Sequence, residues 1–381
     1  VSIQEKQLIP GLAGVPASES AISYIDGNIG VLEYRGYPIA DLAANSTFEE
    51  VVFLLWHGRL PKATELAELE ASLAAKRQVP DAVLDIIRKL PKDGHPMDAL
   101  QTCVSALGMF NADNRAWKDS EKAHEMCLEL VAVMPTLTAA FDRVRRGLDI
   151  IAPDSKASTA ANFLYMVNGE MPDELAAKVL DVALILHADH TMNASTFTAR
   201  VVASTESDPY SVISAAIGSL SGPLHGGANE RVLDSLAEIP SAEGVPAWLD
   251  AKFAAGGKVM GFGHRVYKVK DPRAINLQDL VHQVFEKLGS TPIYDVALAL
   301  ENEMRERVGE KGIWPNVDFF SGIVYQKLGI ATDLFTPVFA ISRVSGWLAH
   351  WREQMENNRL FRPGQIFVGT HGHEYTPIED R

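Results

Sequence analysis

A mainly α-helical protein with a short N-terminal β-hairpin and two domains is what the sequence predicts, on three observations. Apolar residues recur at helical spacing through most of the chain. Strand-like alternation is confined to the segment from Ile22 to Tyr34, and 381 residues exceed the usual span of about 100–200 for one domain. Hydrophobic residues make up 47% and charged residues 22%, which is ordinary globular usage, with no low-complexity stretch or repeat of fixed period.

The elements follow in order. Ile22 and Tyr24 alternate with polar residues, Asp26-Gly27-Asn28 reads as a turn, and Ile29, Val31 and Tyr34 resume the alternation, as in a hairpin. Ser46 and Glu49 have capping-box spacing ahead of the apolar run Val51 to Trp56, and Gly58 follows as a stop. Leu175, Val179, Val182 and Leu186 form one helical stripe that carries His190 at its end. Leu277, Leu280, Val281, Val284, Phe285 and Leu288 form another. Thr336-Pro337 reads as an N-cap and first helical residue, leading into Val338, Ile341, Trp347 and Leu348. Glycine and proline punctuate the chain between about 221 and 323, as expected of an inserted second domain.

Composition excludes several functions. A formal charge of −14, from 49 acids and 35 bases, opposes broad attraction to nucleic acid or an anionic membrane. Apolar runs fall short of the roughly 20 residues that span a bilayer, and no signal peptide opens the chain. Cys103 and Cys127 fit neither a disulfide framework nor a zinc-thiolate site, so a reducing cytoplasm is the expected location.

Three segments place ionisable side chains where chemistry is possible. Gly222-Pro223-Leu224-His225-Gly226-Gly227-Ala228-Asn229 puts His225 before a helix that starts near Asn229. A positive helix end there keeps an imidazole neutral and able to donate one N–H to an oxyanion, although a plain capping histidine fits the same pattern. Gly261-Phe262-Gly263-His264-Arg265-Val266-Tyr267-Lys268 belongs to a stretch, Lys258 to Arg273, with five bases and one acid. Such a loop can receive an anion or be a solvated basic surface, and no strand precedes it as a dinucleotide-binding fingerprint would require. Trp314-Pro315-Asn316-Val317-Asp318-Phe319-Phe320-Ser321-Gly322 opens a helix with Asp318 in its first turn. There a carboxylate either complements the helix dipole or, among aromatics, becomes a stronger base. His187 and His190 have the spacing of a helical metal pair, but no third ligand lies nearby in sequence and no metal is expected. His371 and His373 read as part of a solvated tail.

Taken together and in this order, the three segments resemble the citrate synthase family. The similarity runs from Tyr24-Ile25-Asp26-Gly27, through Phe53-Leu54-Leu55-Trp56-His57-Gly58, to Phe361-Arg362-Pro363. The resemblance implies a two-domain helical homodimer, with a large domain of residues 1–225 and 324–381 and a small domain of residues 226–323 that binds CoA and closes over the site. It implies condensation of acetyl-CoA with oxaloacetate to give citrate and CoA, the first step of the tricarboxylic acid cycle, without a cofactor. Asp318 would be the base, His225 the enol-stabilising acid and His264 the group that activates oxaloacetate. His190, Arg273, Arg343 and Arg362 would join His225 and His264 in holding oxaloacetate, Arg362 from the neighbouring subunit. CoA would lie along Val259, Met260, Gly261, Phe262 and Gly263, with Arg265, Lys268, Lys270 and Lys311 near its phosphates. No counterpart of the N-terminal extension of the larger, NADH-inhibited hexameric members is found, so a simple dimer is the expectation. The nearest alternative is 2-methylcitrate synthase, acting on propionyl-CoA; more distant ones are a helical metal-dependent hydrolase and a non-catalytic binding module.

Overall fold

A computed structural model describes residues 8–264 and 266–381. Strands β1 (Ser23–Asp26), β2 (Val31–Tyr34) and β3 (Tyr37–Pro38) form an antiparallel sheet in that order, with Ser23 opposite Tyr34 and Asp26 opposite Val31. The expected hairpin is present with a third strand. Its turn takes residues 27–30, so Ile29 is exposed in the turn rather than paired in β2.

The helices are α1 (Ile39–Asn45), α2 (Phe48–His57), α3 (Ala63–Ala75), α4 (Asp81–Lys89), α5 (Pro96–Phe110), α6 (Ser120–Arg145), α7 (Thr159–Asn168), α8 (Glu174–His187), α9 (Ala194–Ala203) and α10 (Pro209–Leu220). After them come α11 (Ala228–Ala237), α12 (Val245–Ala254), α13 (Pro272–Leu288), α14 (Pro292–Val308), α15 (Val317–Lys327) and α16 (Phe335–Glu356). A helix that is apolar all round belongs in a core, and α16 is that helix here: Val338, Ile341, Val344, Trp347, Leu348 and Trp351 are all buried. It packs against α2, α5, α6, α8, α9 and α10. A second group gathers around α15, which touches α11 and α13, while α14 bridges α11 and α12. Helix α13 also lies against α8 and α1, which brings the two groups together beside the sheet. Among the described residues no helix is long and apolar enough to cross a membrane. Cys103 and Cys127 are free and buried, and burial pushes both thiols up to about 12.

Three expected boundaries move. Thr47, not Ser46, caps α2 by accepting from Glu50 N at 3.2 Å, while Ser46 Oγ donates to the Glu50 carboxylate and Glu49 turns inward to accept from Thr159 N at 2.7 Å. Helix α8 stops at His187, so His190 lies in the connection to α9 and the two histidines do not share one helix. Helix α16 begins at Phe335, directly after a 3-10 turn at Thr332–Leu334. Thr336 and Pro337 therefore fall inside the first turn, and the Thr336 hydroxyl serves α11 by donating to the Glu230 carboxylate, with Gly226 O 3.4 Å away.

Candidate active site

His225 sits in the turn that links α10 to α11. Its Nε2 accepts from Ser195 N at 3.3 Å and stands 2.8 Å from Ser195 Oγ. A nitrogen that accepts a backbone N–H carries no proton, so the ring hydrogen resides on Nδ1, which is left as a donor. Trp347 Nε1 donates to Ser195 Oγ at 3.1 Å and fixes the serine in turn. Burial, and then the Arg343 guanidinium, lower the His225 pKa to about 4. The imidazole is neutral, as the sequence suggested, but burial rather than the helix end is the leading cause.

His264 has the opposite tautomer. Its Nδ1 accepts from Val266 N at 3.0 Å and Tyr267 N at 3.2 Å, so Nε2 carries the hydrogen. Burial, with Arg273 second, holds it near 4 as well. His190 packs edge-on against His264 with ring centroids 5.4 Å apart, and its Nε2 meets Tyr267 Oη at 3.2 Å. Desolvation keeps His190 well below the usual imidazole range.

Asparagine 316 joins the second and third segments. Asn316 N donates to Gly261 O at 2.9 Å, Asn316 Nδ2 to Gly263 O at 3.0 Å, and Gly263 N to Trp314 O at 2.8 Å. Asn316 also caps α15 by accepting from Asp318 N. Gly261 has φ +79°, and a Cβ there would stand 2.9 Å from Phe319 Cδ2 and Val232 Cγ2. Glycine is thus required twice, for its backbone and for the approach of α15. Asp318, so placed, has its pKa raised by burial to about 6, while Arg273 opposes the rise. Among the described residues no side chain hydrogen-bonds its carboxylate.

The two buried arginines differ. Arg273 forms a two-pronged pair with Asp271, Nε to Oδ1 at 3.1 Å and Nη2 to Oδ2 at 2.8 Å, and Nη2 lies 3.4 Å from His264 Nε2. Arg343 is 1% exposed, donates from Nε to His187 O at 2.6 Å and stacks on Phe339. Among the described residues no carboxylate pairs with it, and burial lowers its pKa to about 10. A buried guanidinium whose terminal nitrogens take no hydrogen-bond partner among the described residues is a ready anion receptor. Phe339 ties the pocket together, since its ring also meets those of His187 and His225.

The remaining expected residues are dispersed. Val259 and Gly261 are buried, Met260, Phe262 and Gly263 partly so, and Arg265 lies outside the described residues. Lys268 and Lys311 are exposed, whereas Lys270 is committed to Gln278 at 2.6 Å and Glu301 at 3.1 Å. Arg362 is exposed in the segment after α16 and, among the described residues, forms no hydrogen bond or ion pair with the other site residues. Sequence reasoning missed Ser195, Tyr267 and Asp271. Asp271 before Pro272 has the signature of an N-cap and could have been found; nothing local pairs Ser195 with a histidine 30 positions away.

The family model for the citrate synthase C-terminal domain matches residues 11–364. The chain belongs to the citrate synthase family. It is 53% identical to the citrate synthase of a Synechocystis species, over 97% of this chain and 93% of that one. It is 43% identical to 2-methylcitrate synthase 2 of Corynebacterium glutamicum, over 97% of both chains. Among solved structures, the ternary complex of carboxymethyl coenzyme A and oxaloacetate with citrate synthase from the archaeon Thermoplasma acidophilum superposes with a TM-score of 0.89 at 34% identity, over 97% of this chain and 98% of that one. In this family member the second and third sequence segments meet at Gly261, Gly263 and Asn316, while His225 of the first is held by Ser195 and lies against Phe339.

Proposed function

We propose that the protein condenses acetyl-CoA with oxaloacetate and hydrolyses the resulting thioester to citrate and CoA. The observation that carries this reading is the presence in one chain of two neutral histidines of opposed tautomer, His225 and His264, and a buried carboxyl of raised pKa, Asp318. Each imidazole has one N–H to offer, and the carboxylate is the base. The Asp318 carboxylate takes a proton from the acetyl methyl group as His225 Nδ1–H donates to the enol oxygen. The new C–C bond forms at the keto carbon of oxaloacetate, whose oxygen receives a hydrogen bond and then the proton from His264 Nε2. Water cleaves the thioester. Arg343 and Arg273, with His190, receive the carboxylates, and Arg362 of a second copy completes the grip in a homodimer. Residues 1–225 and 324–381 act as the large domain and residues 226–323 as the closing one. CoA lies along residues 259–263, its phosphates near Arg265, Lys268, Lys270 and Lys311.

The Corynebacterium relative supports a second reading, 2-methylcitrate synthase, with the same acid–base groups and propionyl-CoA as substrate. One methylene is worth about 1–3 kcal/mol in an apolar pocket. CoA-thiol release is therefore measured with each thioester, with and without oxaloacetate. Oxaloacetate-dependent release with higher kcat/KM for acetyl-CoA is expected; preference for propionyl-CoA moves the assignment to 2-methylcitrate, and no release from either removes both.

A further inference from the structure

A buried polar chain that the proposed chemistry does not use ends beside His190. Arg200 on α9 is paired with the Glu353 carboxylate and donates to His350 Nδ1 from Nε at 3.0 Å and Nη2 at 2.9 Å. That acceptor role puts the His350 proton on Nε2, which donates to Asp189 Oδ1 at 3.2 Å. Asp189 Oδ2 accepts from the Ser23 hydroxyl and from Thr191 N at 3.1 Å. Asp189 N and O both bond the Tyr34 hydroxyl, at 3.2 and 2.9 Å. Arg200, His350 and Asp189 are 2%, 1% and 0% exposed. Helix α16 reaches this segment because residue 346 is glycine: a Cβ there would stand 2.3 Å from Ala188 O.

The chain closes on a strained residue. Thr191 has φ +50°, a left-handed conformation that a β-branched side chain rarely adopts, and it directly follows His190. Its N–H is gripped twice, by Asp189 Oδ2 and by Ser23 Oγ, both at 3.1 Å. We propose that Asp189, fixed by His350 and Arg200, is a positioning residue for oxaloacetate: it holds Thr191 in the left-handed conformation and so aims His190 into the pocket. This rests on the assignment of His190 to the oxaloacetate site.

A purely electrostatic role predicts the opposite effect, because removing a negative charge close to Arg343 would tighten an anion. The test is oxaloacetate binding by calorimetry, together with steady-state kinetics, on folded Asp189→Asn, Thr191→Gly and the double variant. Expected for Asp189→Asn is an oxaloacetate KM and Kd raised about tenfold or more, with the KM for the acyl-CoA little changed. Thr191→Gly, which adopts the same backbone without strain, is expected to bind normally alone and to restore most of the lost affinity in the double variant. His350→Gln, whose amide can accept from Arg200 and donate to Asp189, should outperform His350→Leu by a similar factor. Unchanged or tighter binding in Asp189→Asn, or no rescue by Thr191→Gly, overturns the proposal. If the wild-type protein binds no oxaloacetate, the assigned reaction fails instead, and the relay is read from crystal structures. Thr191 then leaves its positive φ in Asp189→Asn, or the proposal is wrong.

Discussion

Asp318 is the residue at which the proposed function and stability oppose each other. Its pKa rises from 3.8 to about 6 because burial penalises the charged form. Between those values the folded state binds more protons than the unfolded one, so the penalty grows as pH rises through about 6 and is complete above it. Asp318→Asn is therefore expected to raise unfolding free energy at pH 8 by on the order of 1–3 kcal/mol in urea titrations. The same variant should lower kcat by about 10²–10⁴. In the wild type, kcat/KM should fall as pH drops through about 6, where the base becomes protonated; an acid limb near 4 would contradict this assignment. Sequence made Asp318 a candidate by its aromatic neighbours and helix start, and Arg343 only through resemblance. What distinguishes Arg343, burial without a carboxylate partner among the described residues, depends on α8 and Phe339 and has no local signature.

At the level of elements, the loop 259–263 is zipped to the start of α15 through Gly261, Gly263 and Asn316. Gly261→Ala places a methyl group against Phe319 and Val232 at a positive φ, and is expected to cost on the order of 2 kcal/mol. If the loop holds CoA, the acyl-CoA KM should rise while oxaloacetate binding by the isolated protein, read by calorimetry, changes little; an unaltered denaturation midpoint would refute the packing argument. Helical periodicity located α2, α8, α13 and α16 well, since a stripe of apolar residues has only one way to face a core. It misjudged ends. The stripe through Leu186 extended to His190 because the four-residue spacing runs on across the point where the helix stops, and the Thr336-Pro337 pair lost its cap role to a preceding 3-10 turn that flows into α16. Both are tertiary decisions: the Tyr34 hydroxyl bonds Asp189, and the Thr336 hydroxyl reaches α11.

For the molecule as a whole, the site is a set of neutral imidazoles in a protein of net charge −14. His187 is held near 3, His225 and His264 near 4, and His190 well below its usual value, all chiefly by burial. Each takes a proton on unfolding once pH falls below about 6.5, so together they withdraw stability from there down through about 4, outweighing the opposing contributions of Asp318 and of Asp181, whose carboxyl burial raises to about 7. The melting temperature should decline from about pH 7 to about pH 5, with proton uptake on unfolding visible by calorimetry in buffers of different ionisation enthalpy; a flat profile would show that these histidines are charged when folded. The two groups of helices around α16 and α15 were legible as a helical protein with an interrupted second region, but the convergence of residues 190, 225, 264, 318 and 343 was not, because their contacts span most of the chain. The account stands on oxaloacetate-dependent chemistry carried by Asp318. The most direct test is CoA-thiol release from acetyl-CoA at pH 8, with and without oxaloacetate, by the wild type and by folded Asp318→Asn. Release that requires oxaloacetate and collapses in the variant is the predicted result; release without oxaloacetate, or an undiminished rate in Asp318→Asn, would contradict it.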